Sequence, residues 1–278
     1  MHLKRCLLHY LKIIPTFLCL KKHMNKISLS VVIIVKNEAS NIKDCLESVQ
    51  WADDIIVVDD MSTDRTVEIA KEYTNRIFSR KMDVEGRHRN WAQAQATNVW
   101  VLNLDADERV TPKLKEELIN TIANPFEFSA FSIPRRNYIG DYWVKHGGFY
   151  PSAQLRLFKK ENFRWEEDEI HPRAVLDGSC GHLKGDIVHY SYKNFEHFLN
   201  KVNGQTTLEA AKWFREKRKI GIGKALWRAW DRFSRTYFTK QGYKDGYIGF
   251  MAAFLAGLYQ LLSYAKYVEL KNKNSKPS

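Results

Sequence analysis

The sequence contains few cysteines, and none is placed for a disulfide framework or a metal site. The four cysteines form no CxxC pair and no metal-type spacing, so we predict reduced thiols in a cytosolic environment. Glycine is also missing from "VKNEASN", the turn that follows the first predicted strand. A nucleotidyltransferase usually opens that turn with a Gly-rich basic loop, which makes this enzyme class the weaker alternative.

Acidic residues are absent from one end of the chain and scarce at the other. Residues 1–26 carry six Lys and Arg and no acid, and residues 212–278 carry fifteen Lys and Arg against four acids. The net charge of +12 therefore belongs to the two ends, and the middle of the chain is mildly acidic. Such ends indicate an anionic partner. We expect a lipid surface and not nucleic acid, although the same charges would attract both.

The chain divides into three predicted regions: a basic N-terminal extension at 1–26, a catalytic domain at 27–193 and a basic helical region at 194–278. Residues 1–23 resemble a signal sequence only loosely, because Lys12 interrupts the apolar stretch and no small-x-small cleavage site follows. Two interpretations stay open: translation starts at Met24, or this segment is an interfacial anchor.

Buried-strand patterns alternate with helical patterns through the first half of the chain. The runs "ISLSVVIIV", "IIVV", "RIFSR" and "VWVLNL" predict strands, and a helical pattern follows each of them. This alternation predicts an α/β fold with a doubly wound, mostly parallel sheet. Beyond about residue 128 the pattern predicts a mixed-sheet extension, and from about residue 194 it predicts helices. Thr111 and Pro112 are predicted to start one helix, as N-cap and first residue.

Carboxylates follow three of the predicted strands. Glu38 follows the first, Asp59 and Asp60 follow the second, and Asp105 and Asp107 follow the fourth. Because ligands bind outside the carboxyl ends of strands in open α/β sheets, these acids are expected at one sheet edge, where their repulsion needs a cation. Mg²⁺ or Mn²⁺ holding a diphosphate meets that need. Simple helix capping by the same acids is the plainer alternative.

Three motifs in order over residues 29–110 resemble the family-2 glycosyltransferases, which have a GT-A fold. They are "SVVIIVKNEASNIKDCLESV", "DDIIVVDDMSTDRTVEIAKEY" and the DxD segment "WVLNLDADERV". The resemblance implies a nucleotide pocket lined by Val35, Asn37 and Glu38. It also implies that Asp60 contacts the base or ribose, that Asp105 meets the ribose and that Asp107 meets the metal-bound diphosphate.

Residues beside the DxD segment are given further roles. Arg87, Arg89 and Asn90 open the helix before the DxD strand, where a cationic helix start suits a phosphate, although an ordinary surface helix start explains them equally well. We expect Glu108 and Arg109 to belong to the turn that starts the next helix.

The second half resembles the lipopolysaccharide-core β-1,4-glucosyltransferase group, through "HGGFYPSAQLRLFKKENFRWEEDEIHP", "GHLKGDIVHYSYKNFEHFLNKVN" and "GYKDGYIGFMAAFLAGLYQLLSYAKYVEL". This implies an inverting transfer of a hexose, glucose from UDP-glucose, to the inner core of lipopolysaccharide. Transfer to a polyprenyl phosphate or another surface glycan is the alternative within the class. A nonenzymatic membrane-associated adaptor is the alternative outside it.

Inversion at an anomeric carbon needs one general base for the acceptor hydroxyl. The acidic run at 166–169 is the expected source, with Asp168 the first candidate and Glu169 the second. His171 is a candidate for orienting the acceptor, yet a lone His is as often structural. The residues expected to meet phosphates of the lipopolysaccharide core are Arg135, Arg136 and Arg156.

Two C-terminal segments suggest a membrane. Residues 225–241 separate at helical spacing into an aromatic face and a basic face, which suits either a bilayer interface or packing on the catalytic domain. Residues 246–265 carry no charge and are long enough to span a bilayer, but glycines and tyrosines lower their hydrophobicity. We expect an interfacial or partly embedded helix at the cytoplasmic face of the inner membrane, held by its anionic leaflet.

Overall fold

A computed structural model describes residues 28–124, 127–167 and 172–274 of the protein. Its strands are β1 (Leu29–Val35), β2 (Asp54–Asp59), β3 (Ile77–Ser79), β4 (Trp100–Asp105), β5 (Glu108–Val110), β6 (Phe128–Ile133), β7 (Arg135–Ile139), β8 (Tyr142–Trp143), β9 (Gln154–Lys159), β10 (Phe163–Trp165), β11 (Ala174–Leu176), β12 (Ser179–His182) and β13 (Ile187–Tyr192). Its α-helices are α1 (Ile42–Val49), α2 (Thr66–Ala70), α3 (Glu85–Ala94), α4 (Pro112–Ala123), α5 (Phe195–Arg215), α6 (Ile222–Ser234) and α7 (Gly246–Lys273).

The main sheet has seven strands in the order β12-β6-β9-β4-β1-β2-β3. Strand β1 pairs in parallel with both β2 and β4, and β9 runs antiparallel to its neighbours β4 and β6. All six residues of β2 are buried, as expected for a strand covered on both faces. The predicted mostly parallel α/β sheet with a mixed extension is confirmed.

Helices cover the sheet with the residues that their periodicity predicted. In α1, Ile42, Leu46 and Val49 are fully buried against the sheet, each worth roughly 1.5–3 kcal/mol relative to exposure. In α4, the Thr111 hydroxyl accepts the backbone N–H of Leu114 at 3.3 Å and Pro112 is the first helical residue, as predicted. These helices fix the directions in which the strands end.

A second sheet, in the order β5-β13-β7-β8, lies beyond the end of β4. Its first strand contains Glu108 and Arg109, so the prediction that both belong to a turn before the next helix is wrong. The reason is pairing at long range: β5 runs antiparallel to β13, with Glu108 opposite His189. This pairing buries the Glu108 side chain completely.

Three long helices complete the chain. Helix α6 buries Ala225 and Ala229, and a Cβ placed on Gly257 of α7 would come within 3.0 Å of the Ala229 carbonyl oxygen, so the two helices pack closely. The aromatic face of α6 is left uncovered, with Trp227 65% and Trp230 59% exposed. In the described residues, Trp227 and Trp230 therefore do not pack on the catalytic domain, which was one of the two interpretations of this face. Helix α7 is long and apolar enough to cross a membrane.

Candidate functional site

A cavity of about 380 Å³ lies at the carboxyl ends of β1 and β4. It brings together five of the residues predicted for the nucleotide and metal, which are Val35, Glu38, Asp60, Asp105 and Asp107, and it adds one residue predicted for the acceptor, Arg135. Asp60 directly follows β2. The backbone N–H of Asp60 donates to the Val35 carbonyl at 2.8 Å, and this hydrogen bond holds the ends of β1 and β2 together.

Asp60 is a buried, ionised carboxylate. One oxygen accepts the Met82 backbone N–H at 2.7 Å, and the other lies 3.0 Å from the Lys36 ammonium. Burial opposes ionisation, but the hydrogen bond from Met82 and the charge of Lys36 outweigh it, so the pKa of Asp60 lies below its usual range. The carboxylate thus faces the cavity with its charge fixed, which suits hydrogen bonding to ribose hydroxyls.

The lowered pKa of Asp60 predicts a pH-dependent contribution to stability. Because the folded-state pKa lies below the unfolded value of about 3.9, the contribution is complete above that value and disappears as the pH falls through the folded pKa. Asp60→Asn should destabilise the protein by about 1–2 kcal/mol at pH 7. Urea unfolding between pH 7 and pH 3 should show this difference shrinking as the pH falls, and Asp141→Asn, at an exposed position, is the matched control. A difference that grows in acid would contradict the assignment.

Asn37 and Glu38 build the loop as well as the cavity. Asn37 has a positive φ of 55°, and its side-chain oxygen accepts the Thr63 backbone N–H at 2.8 Å, tying the turn after β1 to the turn after β2. The Glu38 carboxylate accepts the Asn41 side-chain N–H at 2.7 Å and lines the cavity. Asn37 therefore holds the loop in place without lining the cavity, whereas Glu38 lines it.

Asp105 belongs to a buried charge network. The Arg156 guanidinium donates to Asp105 at 2.5 Å and to Glu108 at 2.6 Å, and Arg135 lies 3.5 Å from Glu108. Burial opposes ionisation of Asp105, but the positive charges of Arg156 and Arg89 overcome it, so the pKa of Asp105 lies well below its usual range. Asp105 is 37% exposed at the cavity, so its free oxygen can meet a ligand while the network holds its direction.

Asp107 has a histidine neighbour instead. Its carboxylate lies 3.5 Å from Nε2 of His189. The Asn137 side-chain N–H₂ donates to the Phe149 carbonyl, so the Asn137 oxygen is the acceptor, and it lies 2.7 Å from Nδ1 of His189. When Nδ1 donates its proton to Asn137 in the neutral imidazole, the lone pair of Nε2 is directed toward Asp107.

Asp107 and His189 fit a divalent ion whose other ligands come from a substrate. The described part of the chain holds no group of three or more His, Cys, Asp or Glu side chains arranged for a metal. Two adjacent protein donors, one carboxylate oxygen and one imidazole nitrogen, match an ion such as Mg²⁺ or Mn²⁺ that keeps water and phosphate oxygens for its remaining positions. Lys201, 3.9 Å from Asp107, adds positive charge beside the same point.

The family follows from a match to the sequence. The profile of glycosyl transferase family 2 matches residues 30–175, more than half of the chain. The chain belongs to glycosyl transferase family 2. This decides against the nucleotidyltransferase alternative, and the mostly parallel α/β sheet is of the class expected from the resemblance.

Several known proteins are similar to this glycosyltransferase. The lipopolysaccharide core biosynthesis glycosyltransferase LpsC of Rhizobium meliloti is 25% identical over 260 residues, which cover 91% of this chain and 96% of LpsC. An uncharacterized glycosyltransferase of Rickettsia prowazekii is 28% identical over 260 residues, which cover 88% of each chain. Among solved structures, Staphylococcus aureus TarS 1–349 is similar with a TM-score of 0.42 and 16% identity, covering 87% of this chain and 88% of the TarS chain.

The helix before the DxD strand of this glycosyltransferase places one of its three candidate residues in the cavity. Arg87 is half exposed and pairs with Asp83 and Glu167 outside the cavity. Asn90 makes two hydrogen bonds, of 2.9 and 2.8 Å, with the backbone of Trp165, and so clamps β10 onto α3. Arg89 is the residue of this helix that lines the cavity, 4.0 Å from Asp105.

The three arginines predicted for the acceptor have separate locations. Arg135 lines the cavity, beside the residues predicted for the nucleotide and the metal. Arg136 points the other way along β7 and pairs with Asp186 at 2.6 Å, because alternate residues of a strand face opposite sides. Arg156 is only 7% exposed and is committed to Asp105 and Glu108. Acceptor binding by Arg136 and Arg156 is not what this geometry supports.

The candidate catalytic residues Asp168 and Glu169, and the candidate acceptor residue His171, lie outside the described residues. The start of the same acidic run is described and lies against α3. A Cβ placed on Gly86 would come within 1.8 Å of the Glu166 carbonyl oxygen, so a glycine is required where this segment passes the helix.

Sequence reasoning missed His189 and Lys201. His189 and Ser191 alternate with larger residues along β13, a pattern that places both polar side chains on one face of the strand. That alternation was a usable signal for His189. Lys201 lies on α5 among other polar residues, and nothing local marks it out.

Proposed function

We propose that this glycosyltransferase transfers a hexose, glucose from UDP-glucose, with inversion to the inner core of lipopolysaccharide. The observation that carries the proposal is the meeting of Asp60, Asp105 and Asp107 in one cavity beside His189. The similarity to LpsC over nearly the whole of both chains supports the acceptor class. Transfer to a polyprenyl phosphate is the nearest alternative.

The donor half of the site has a division of labour in this proposal. Val35 and Asp60 hold the nucleoside, and Asp105 directs one carboxylate oxygen at the ribose. Asp107 and His189 hold Mg²⁺ or Mn²⁺, which supplies a Lewis acid for the leaving diphosphate. Lys201 is placed to offset negative charge at the same place. Because Asp60 and Asp105 are held in direction by neighbouring donors, these two carboxylates need little reorganisation when the nucleotide sugar binds.

The general base is proposed to be Asp168, with Glu169 as the alternative. Asp168→Asn should lower kcat by about 10²–10⁴-fold with a small change in the KM for the donor, because the base acts on the acceptor proton in the transition state. Glu169→Gln, the matched control, should change kcat by less than about tenfold. A large loss in Glu169→Gln with full activity in Asp168→Asn would exchange the two assignments, and two active variants would move the base elsewhere.

Two measurements test the proposed function itself. Purified protein with Mn²⁺ and UDP-glucose should glucosylate lipopolysaccharide taken from a strain that lacks the gene. Mass analysis of that lipopolysaccharide should show the loss of one core hexose. An intact core would contradict the acceptor, a lipid-linked product would favour the polyprenyl phosphate alternative, and transfer from another nucleotide sugar in preference would change the donor.

The region from residue 194 onward is proposed to lie on the anionic cytoplasmic face of the inner membrane. Its uncovered aromatic residues include Trp227, Trp230, Phe238 and Tyr247, with exposures between 56% and 67%, and exposed aromatics of this kind favour a bilayer interface.

Removing two of these aromatics should weaken membrane binding. Trp227→Ser together with Trp230→Ser should lower binding to vesicles of anionic phospholipid by about tenfold or more, because each indole loses apolar burial. Cosedimentation measures this, and Val99→Ser, which removes an apolar side chain that is 61% exposed on the catalytic domain, is the control. Equal binding by all three proteins would contradict the membrane assignment.

A further inference from the structure

A second, larger cavity adjoins the cavity at the carboxyl ends of β1 and β4, here called the donor cavity. It has a volume of about 730 Å³ and lies between the second sheet and the three C-terminal helices. Arg135, His189 and Lys201 line both cavities. The larger cavity, here called the acceptor groove, therefore opens at the point where Asp107 and His189 meet, and its volume suits an oligosaccharide segment.

The acceptor groove has an excess of unpaired positive charge. Besides Arg135 and Lys201, it is lined by Arg228, Arg232 and Lys240. Across the described ranges, the last three form no ion pair with a carboxylate. The Arg228 guanidinium instead lies 5.3 Å from the ring centre of Trp213.

One acid, Glu209, lines the acceptor groove against five cations, and it forms no ion pair with them among the described residues. The Glu209 carboxylate is engaged with Trp213, accepting its ring N–H at 2.6 Å. Clustered like charges raise the free energy of the unliganded groove, and an anionic ligand relieves that repulsion. The groove is thus electrostatically complementary to a negatively charged molecule.

An unpartnered polar group also faces this space. Gln260 lines the acceptor groove, is only 7% exposed, and its side-chain oxygen Oε1 has no hydrogen-bond partner among the described residues. It interrupts the otherwise apolar stretch of α7. Buried carbonyl oxygens are nearly always paired, so this one indicates a donor supplied from outside. Sugar hydroxyls are donors of the required kind.

We propose that the acceptor groove selects an acceptor glycan that carries anionic substituents, phosphate or sugar carboxylate. Arg232 and Lys240 bind the anionic groups, and Gln260 accepts a hydrogen bond from a sugar hydroxyl. This rests on the proposed glycosyl transfer, and it moves acceptor recognition from Arg136 and Arg156 to the C-terminal helices. Those helices therefore have a substrate-binding role in addition to any contact with lipid.

The test compares acceptor kinetics in the full-length protein. Arg232→Gln and Lys240→Gln should each raise the KM for lipopolysaccharide from the gene-deleted strain by roughly tenfold, the loss of one charge-assisted hydrogen bond. Gln260→Leu should raise it by a few-fold. The KM for the donor should stay within about twofold of the wild-type value. The matched control is Arg235→Gln, an exposed arginine that pairs with Asp231 outside the groove, and it should leave the acceptor KM unchanged.

Treating the same acceptor with phosphatase separates the two sources of negative charge. If the treatment raises the wild-type KM and removes the effect of Arg232→Gln, phosphate is the group recognised; if the effect persists, sugar carboxylates are. Equal acceptor KM values for Arg232→Gln, Lys240→Gln and Arg235→Gln overturn the groove proposal while transfer stands. If the wild type transfers no sugar, the proposed function fails. Cosedimentation of the same lipopolysaccharide with detergent-solubilised wild-type and Arg232→Gln proteins then tests the groove proposal separately. Equal binding by the two proteins overturns the groove proposal.

Discussion

Asp107→Asn is expected to lower the rate of sugar transfer by roughly a thousandfold and to leave folding intact. The substitution keeps the size of the side chain but removes the negative charge that, with Nε2 of His189, fits a divalent ion. The loss of one preorganised electrostatic group at a reacting diphosphate costs about 10²–10³-fold, and the loss of a metal ligand costs more. The Asp107 side chain is 16% exposed and has no partner that its removal would leave buried and charged.

The measurement is transfer of radiolabelled sugar from UDP-glucose, together with the urea midpoint of each protein. Asp177→Asn is the matched control, because Asp177 lies in an exposed bend between β11 and β12 and does not line the cavity. Mn²⁺ titration followed by electron paramagnetic resonance should show weaker binding to Asp107→Asn in the presence of UDP. Unchanged transfer by Asp107→Asn would contradict the metal assignment. Absence of transfer in the wild type with every donor would revive the nonenzymatic adaptor.

In the proposal His189 also binds the divalent ion, and Asn137 holds the His189 ring in position. Replacing Asn137 tests whether that positioning matters. Asn137 holds Nδ1 of His189, so its replacement frees the ring to rotate or to change tautomer. A residue that hydrogen-bonds the far nitrogen of a metal-binding histidine usually contributes about 10–100-fold to metal affinity. The effect of replacing Asn137 should therefore be smaller than that of replacing Asp107. It should lower the affinity for the metal more than it lowers the transfer rate at saturating metal.

The parts of the site that the sequence predicted are those supplied by strand ends. A run of β-branched residues buried on both faces identifies β1 and β2, and parallel pairing then places the residues that follow them at one edge. Asp60 and Asp107 could be placed together by this argument without knowing any side-chain contact. Asn37 also follows a strand end, yet its side chain hydrogen-bonds the neighbouring turn instead of lining the cavity. The end of a strand determines where a residue lies but not the direction of its side chain.

The parts that escaped prediction depend on contacts between distant segments. Glu108 is buried because β5 pairs with β13, about eighty residues later, and nothing in "DADERV" distinguishes that strand from a turn. The prediction that Arg156 meets an acceptor phosphate rests only on its position in the acceptor half of the sequence. Which face of β9 is buried is decided by its antiparallel place between β4 and β6, and the sequence alone does not determine that place.

Arg156→Met is expected to destabilise the fold by about 3 kcal/mol. Removing one partner of a buried ion pair costs about 3–5 kcal/mol, because the other charge is left buried. Arg156 is 7% exposed and Glu108 is fully buried, so both charges lie out of reach of bulk water. The lower end of the range applies, because Glu108 keeps Arg135 at 3.5 Å and the backbone N–H of Asp105 at 3.1 Å.

Urea unfolding followed by tryptophan fluorescence measures the loss, with Arg65→Met as control. Arg65 pairs with Glu68 at the surface, and its loss should produce no measurable change. Adding Glu108→Gln to Arg156→Met should recover part of the stability, because the uncompensated charge is then gone. A destabilised single variant and a partly restored double variant would establish that the network supports the fold.

The same pair of measurements distinguishes the structural role of Arg156 from acceptor binding. If Arg156 served mainly to bind an acceptor phosphate, Arg156→Met would keep its urea midpoint and raise only the KM for the acceptor. In the structure Arg156 donates to Asp105 and Glu108 at once, so its loss should also release the direction of Asp105 and raise the KM for the donor. A stability loss accompanied by weaker donor binding therefore links the interior of the second sheet to the nucleotide site, because a single guanidinium connects the two.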